Sequence, residues 1–113
     1  MIKNSPIGGI IGMCRIKTGS YTGDGSEGLS ITGIGFTPKV VIITHRPVDV
    51  ANHYLLIKTD HAWGDYCLRI YTSIQATANN INSIDPDGFT VDDAGVDAHP
   101  NRADQLYDYI VIG

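Results

Sequence analysis

The fold is decided by the stretch from Thr18 to Ile43, which has the sequence TGSYTGDGSEGLSITGIGFTPKVVII. Its first part, 18–28, is a loop of hydroxyl residues and glycines, which suit tight turns and positive φ angles. Its middle part, Leu29–Ile34, alternates apolar and polar residues and predicts a short strand. Its last part, Val40–Ile43, is a run of β-branched apolar residues, which predicts a strand buried on both faces.

Alternating segments outside this stretch predict further strands. The predicted strands cover 13–21, 29–34, 39–44, 54–58, 66–71, 81–84, 89–91 and 106–112. The segment 72–80 stays ambiguous, because Gln75–Ala78 suits a helical turn but has no apolar stripe. Pro86-Asp87-Gly88 predicts a turn, since proline presets φ and glycine accepts positive φ. About eight short strands without an amphipathic helix predict an all-β fold, an antiparallel β-sandwich or barrel of jelly-roll-like kind.

Composition predicts one domain with a short arm. Of the 113 residues, 42% are hydrophobic, which is enough to build a core. Residues 1–12 follow no regular period, so we expect a flexible or subunit-crossing N-terminal arm there and a single β domain at 13–113. No apolar run of about 18 residues occurs, so we expect no membrane partner.

Charge is uneven along the chain. Residues 1–56 carry 5 Lys/Arg and 3 Asp/Glu, a balance of +2, whereas residues 57–113 carry 3 Lys/Arg and 9 Asp/Glu, a balance of −6. Phosphate binding needs a basic patch, so this balance argues against nucleic acid as a partner. The opposite signs leave room for head-to-tail attraction between copies.

Four blocks of the sequence are shared with a known family. They are GSYTGDG at 19–25, ITGIGF at 31–36 followed by Pro38-Lys39-Val40-Val41, IDPDGFTV at 84–91 and LYDYIVIG at 106–113. In this order they resemble a small β domain found in many tailed-bacteriophage virion proteins. The resemblance implies a virion component of the head, tail or fibre. Residues 7–13 are too short for a signal-peptide core, so we expect it to be made in the host cytoplasm.

The resemblance and the lack of an added catalytic domain favour a non-enzymatic virion structural protein. We expect a capsid decoration or cementing protein that self-associates, with a trimer as one closed arrangement, and that grips other virion proteins such as the major capsid or tail protein. The alternative is a tail or fibre module that binds carbohydrate in the manner of a lectin.

The N-terminal arm contains isoleucines that a lone monomer would gain little from exposing. They are Ile2, Ile7, Ile10 and Ile11. One interpretation is a flexible arm, and the other is that these side chains dock on a neighbouring subunit.

A second set of residues has the chemistry of a ligand or partner contact. It consists of Trp63, Tyr54, Tyr66, His99 and Asn101. Exposed aromatic rings stack on sugars or anchor a protein partner, whereas buried ones belong to the core or to a subunit interface. Both interpretations stay open at the sequence level.

Catalytic and metal-binding motifs are missing from the sequence, so we expect no enzyme, no cofactor and no metal. Two looser groups leave alternatives open. The aspartates 92, 93, 97 and 104 suit either a Ca²⁺ site or a solvated loop, and the histidines 45, 53 and 61 suit either surface groups or a pH-sensitive assembly contact. Cys14 and Cys67 are expected as buried free thiols, with a disulfide as the alternative.

Overall fold

A computed structural model describes residues 14–46, 54–61, 64–71, 73–93 and 100–113. These ranges contain nine strands and no helix. The strands are β1 (Ile16–Thr22), β2 (Leu29–Ile31), β3 (Val40–His45), β4 (Leu55–Thr59), β5 (Cys67–Ile70), β6 (Ile74–Thr77), β7 (Ile81–Asp85), β8 (Gly88–Val91) and β9 (Leu106–Ile112). The predicted all-β class is confirmed.

The strands form two antiparallel sheets. The larger sheet has the order β1-β9-β3-β4-β5-β6, and the smaller has the order β2-β8-β7. The two sheets pack together as in a β-sandwich. The barrel alternative was wrong, because β1 and β6 lie at opposite ends of the strand order and the large sheet does not close.

The core lies between the two sheets. The large sheet contributes fully buried side chains from β3, β4 and β9, and the small sheet contributes others from β7 and β8. They are Val41, Ile43, Leu56, Tyr107 and Val111 on the one side and Ile81, Phe89 and Val91 on the other. Each such side chain stabilises the fold by about 1.5–3 kcal/mol relative to leaving it exposed, so this layer is the main source of stability.

A β-bulge at Asn82 sets the small sheet's inner face. Ile81 pairs with Val91 and Ile84 pairs with Phe89, and the register shifts between Ile81 and Ser83. Residues three apart on a regular strand point to opposite faces, but the extra residue turns Ile81 and Ile84 to the same side. Both therefore pack on the core.

One strand prediction needs correction, and the structure resolves one segment that the sequence left ambiguous. The Val40–Ile43 run was expected to be buried on both faces, but only Val41 and Ile43 are fully buried, while Val40 and Ile42 are half-buried. The small sheet covers one face of β3 only. The ambiguous segment 72–80 contains a strand, β6, and no helical turn in its described part.

The predicted turn between β7 and β8 is confirmed, but Gly88 does not have the positive φ angle that was expected of it. Asp85 pairs with Gly88, so Pro86 and Asp87 form a two-residue connection. A Cβ atom at Gly88 would collide with the carbonyl oxygen of Ile31, so only glycine lets β8 lie this close to the end of β2.

Candidate interaction surface

The large sheet has an outer face, which we define as the side turned away from the small sheet. The strand register arranges most of its side chains in three rows that cross the sheet, and it pairs Thr22 with Leu106 beyond the third row. The first row is Ile16, Ile112, Val40 and Thr59; the second is Thr18, Ile110, Ile42, Ile57, Leu68 and Ala76; the third is Ser20, Asp108, Thr44, Leu55, Ile70 and Ile74.

This outer face is mainly apolar. Ten of the sixteen side chains in the rows are Ile, Leu or Val. Several of them are well exposed: Ile16 by 63%, Leu68 by 45%, Ile74 by 69% and Ile110 by 42%. With strands about 4.8 Å apart, six strands give a face about 24 Å wide. Contiguous apolar patches of this kind mark interaction sites on soluble proteins.

The local sequence explains why the face exists. In β3 and β4 both the even and the odd positions are apolar, as in Val40–Ile43 and Leu55–Ile57. One set of side chains enters the core, and the other set must lie on the opposite face because strand side chains alternate. With the small sheet on one side only, the second apolar set stays on the surface.

The rows contain one charged residue, Asp108, at one margin. Arg46 neutralises it through two hydrogen bonds, from Nε and from Nη2, both 2.6 Å long. These bonds lower the pKa of the Asp108 carboxyl and raise that of Arg46. Protein–protein interfaces typically have few charged residues at their centre and polar groups at their rim, and the outer face has this composition.

An open depression of about 150 Å³ lies on this face near β4, β5 and β6. Its walls are apolar apart from one threonine. The lining residues are Ile57, Thr59, Tyr66, Cys67, Leu68 and Ala76. The ring of Tyr66, 40% exposed, stands at its border. A cavity of this kind accepts an aliphatic side chain better than a polar ligand, because it offers few hydrogen-bonding groups.

A buried lysine holds the loop beside this depression. Lys58 is only 3% exposed, and its Nζ donates to the carbonyl oxygens of Gly64 and Tyr66, each at 2.8 Å. Burial lowers the pKa of this ammonium group. The role of Lys58 in holding this loop was not predicted, since in the sequence it ends an ordinary strand.

The two cysteines are both free, as expected, but they differ in exposure. Cys14 is exposed, against the expectation of burial, and Cys67 is buried. Burial raises the pKa of the Cys67 thiol, which leaves it little thiolate at neutral pH.

Of the predicted contact residues, Tyr66 lies on this surface and two others are buried. Tyr54 is 7% exposed and its ring stacks on that of His45, with centroids 5.4 Å apart. Asn101 is fully buried. Trp63, His99 and the arm residues Ile2, Ile7, Ile10 and Ile11 lie outside the described residues.

Asn101 closes a loop rather than facing a ligand. Its Nδ2 donates to Asp24 Oδ1 at 2.8 Å and to the carbonyl oxygen of Ser26 at 2.9 Å, and its Oδ1 accepts from the amide of Asp24 at 2.9 Å. The side chain thus ties the 23–26 loop to the chain just before β9. Its hydrogen-bonding groups are used within the fold.

The aspartate and histidine groups are described only in part, because Asp97 and His53 lie outside the described residues. Within the described part of the chain, no three His, Cys, Asp or Glu side chains come together as a metal site. Asp92 is buried and accepts a hydrogen bond from Asn82 at 3.0 Å. His45 contacts Gln105 at 3.2 Å, whereas His61 is exposed. The described residues also include no helix long and apolar enough to cross a membrane.

Comparisons of this chain with protein-family models, with curated proteins and with solved structures find no match. The functional argument therefore rests on the outer face and on the sequence blocks described above. The sequence analysis did not predict the apolar outer face. The signal for it was present, because successive residues of β3 and β4 are apolar and so point to both faces of the sheet.

Proposed function

We propose that this protein is a non-enzymatic structural component of a bacteriophage particle, a decoration or cementing protein that self-associates and holds neighbouring shell subunits together. The sequence blocks at 19–25, 31–36, 84–91 and 106–113 support the kind of particle by resemblance. The outer face supports the mode of action, because a wide uncharged apolar surface is suited to protein contact.

The single observation that carries the proposal is the mainly apolar outer face, whose exposed aliphatic side chains extend from β1 to β6. A cementing protein works by mass action: each contact made only in the assembled state raises the stability of that state. Burying exposed aliphatic side chains provides such contacts without a specific chemical reaction. A closed ring, of which the trimer is one case, would use identical contacts repeatedly.

The test has two parts. Sedimentation velocity over a range of protein concentrations should show reversible self-association. Purified protein should also co-sediment with heads of the phage whose genome encodes it, and heads with bound protein should resist heating better than heads without it. A protein that stays monomeric and sediments with neither heads nor tails would overturn the proposal.

A carbohydrate-binding module is the second candidate, and one observation favours it. Tyr66, which is 40% exposed, presents an aromatic ring at the depression. Sugars also need polar groups for their hydroxyls, and the depression offers mainly apolar walls. Saturable glycan binding that is lost in Tyr66→Ala, without capsid or tail association, would favour this candidate over the first.

A further inference from the structure

We propose that the N-terminal arm, residues 1–12, of one copy binds across the outer face of a neighbouring copy and places an isoleucine in the depression beside Leu68. This inference rests on the proposed self-association and names the two surfaces that meet. The arm supplies apolar side chains, and the outer face supplies an apolar receptor.

The point where the described chain begins favours this pairing. The amide of Arg15 donates to Gly113 at 3.0 Å and the amide of Gly113 donates to Arg15 at 2.9 Å, so the chain is fixed at the edge of the large sheet. The Arg15 guanidinium also lies 4.9 Å from the centroid of the Phe36 ring. The next residue, Ile16, is the first side chain of the outer face.

The length of the arm is sufficient to reach a second copy. Twelve residues in an extended conformation span about 40 Å. The outer face is about 24 Å wide, so an arm that leaves one edge can cross the boundary of its own sheet and still lie over most of a second one.

The chemistry of the two surfaces matches. The arm has a single charged side chain, Lys3, and four isoleucines at positions 2, 7, 10 and 11. The outer face has its one charge, Asp108, at the margin and already paired with Arg46. An apolar segment therefore meets no unpaired charge on the face, and each isoleucine that becomes buried improves the affinity by about tenfold or more.

Photo-crosslinking tests the contact directly in the full chain. Ile10 is replaced by the photoreactive residue p-benzoylphenylalanine in isotopically heavy protein, which is mixed and re-equilibrated with light protein. We expect heavy–light crosslinks to the peptides that contain Ile57, Leu68 or Ala76. Crosslinks that join only residues of one copy, or that map to the small sheet around Ser30, would overturn the inference.

Charge insertion gives a second test that does not depend on crosslinking. Leu68→Lys places an ammonium group beside the depression and should raise the dissociation constant of the oligomer by about tenfold or more. Ser30→Lys, on the exposed side of the small sheet, is the matched control and should leave the constant unchanged. Thermal unfolding checks that both variants are folded.

A double-mutant cycle then links the two surfaces. Ile10→Lys should weaken association as Leu68→Lys does, and the double variant should be no weaker than the worse single one, because both changes remove the same contact. Additive effects would contradict the pairing. If Ile10→Lys leaves the dissociation constant of the oligomer unchanged, this inference is overturned but the proposed function stands. A monomeric wild-type protein would overturn the proposed function itself.

Discussion

The carboxylate of Asp87, in the turn between β7 and β8, accepts a hydrogen bond from the amide of Gly35 at 2.7 Å. Its other oxygen accepts the amide of Gly33 at 2.9 Å, and the Asp87 carbonyl accepts from Ile34. Gly33 and Gly35 both have positive φ angles, 78° and 92°. One aspartate thus holds a loop of unusual backbone conformation and directs Ile34 into the core.

This arrangement predicts a specific pH dependence. The amides of Gly35 and Gly33 favour the charged carboxylate and lower the pKa of Asp87 below its ordinary value of 3.8. Since the pKa is lower in the folded state, the contribution is present above about pH 4 and is lost as the pH falls through the folded-state pKa. Asp87→Asn should therefore unfold at a lower temperature than wild type at neutral pH, and the gap should close in acid.

The measurement is the thermal unfolding midpoint of both proteins from about pH 7 to about pH 2. Asp24 and Asp108 also have lowered pKa values, so both proteins lose stability in acid and the difference between them is the informative quantity. Glu27→Gln, at an exposed position, is the control. A gap that stays constant with pH would contradict the proposed role of the Asp87 charge.

Gly88→Ala should destabilise the fold by about 1–3 kcal/mol or more, as overpacking does elsewhere. The added methyl group would collide with the carbonyl oxygen of Ile31, which is backbone and cannot rotate away. Urea unfolding measures the effect. Ser30→Ala, on β2 and exposed, should stay within about 0.5 kcal/mol of wild type, and an equal loss in both variants would argue against the close approach.

Asn101→Ala should cost about 0.5–1.5 kcal/mol for each hydrogen bond lost, because the buried Asn101 side chain no longer binds Asp24 and Ser26 of the exposed 23–26 loop. Arg102→Ala is the neighbouring control, since the Arg102 side chain is exposed. Chemical denaturation compares the two variants, and limited proteolysis should cut the 23–26 loop sooner in Asn101→Ala only. Equal stability of the two variants would mean that the loop is held by other contacts.

The two thiols should react at very different rates. Cys14 is exposed and should be modified promptly by a thiol reagent at neutral pH, whereas Cys67 is buried with a raised pKa and should react only after unfolding. In the Cys14→Ser variant only Cys67 remains, so the slow reaction of Cys67 can be measured alone. Rapid modification of native Cys14→Ser would show that β5 opens readily and that Cys67 is not kept buried.

Much of the fold was predictable because most strands alternate or carry runs of β-branched residues. The strand β6 was not, since Ile74 and its neighbours Gln75, Ala76 and Thr77 lie at the sheet edge with little burial to mark a face. The bulge at Asn82 was also missed, because nothing in the local sequence distinguishes an inserted residue from a regular one.

The surface was harder to predict than the fold. A doubly apolar strand such as Val40–Ile43 has the same composition whether its second face meets its own chain or another molecule, so sequence alone cannot distinguish the two. The role of Asn101 was mispredicted for a different reason. Its partner Asp24 is 77 residues away in the sequence, and only the folded chain brings the two together.

The position of β9 has a consequence for how the chain is made. Strand β1 pairs along its whole length with β9, so residues 16–22 find their sheet partner only once residues 106–112 have been synthesised. During synthesis β1 therefore stays unpaired until β9 has been made. This delay lengthens the time in which the nascent protein is prone to aggregation.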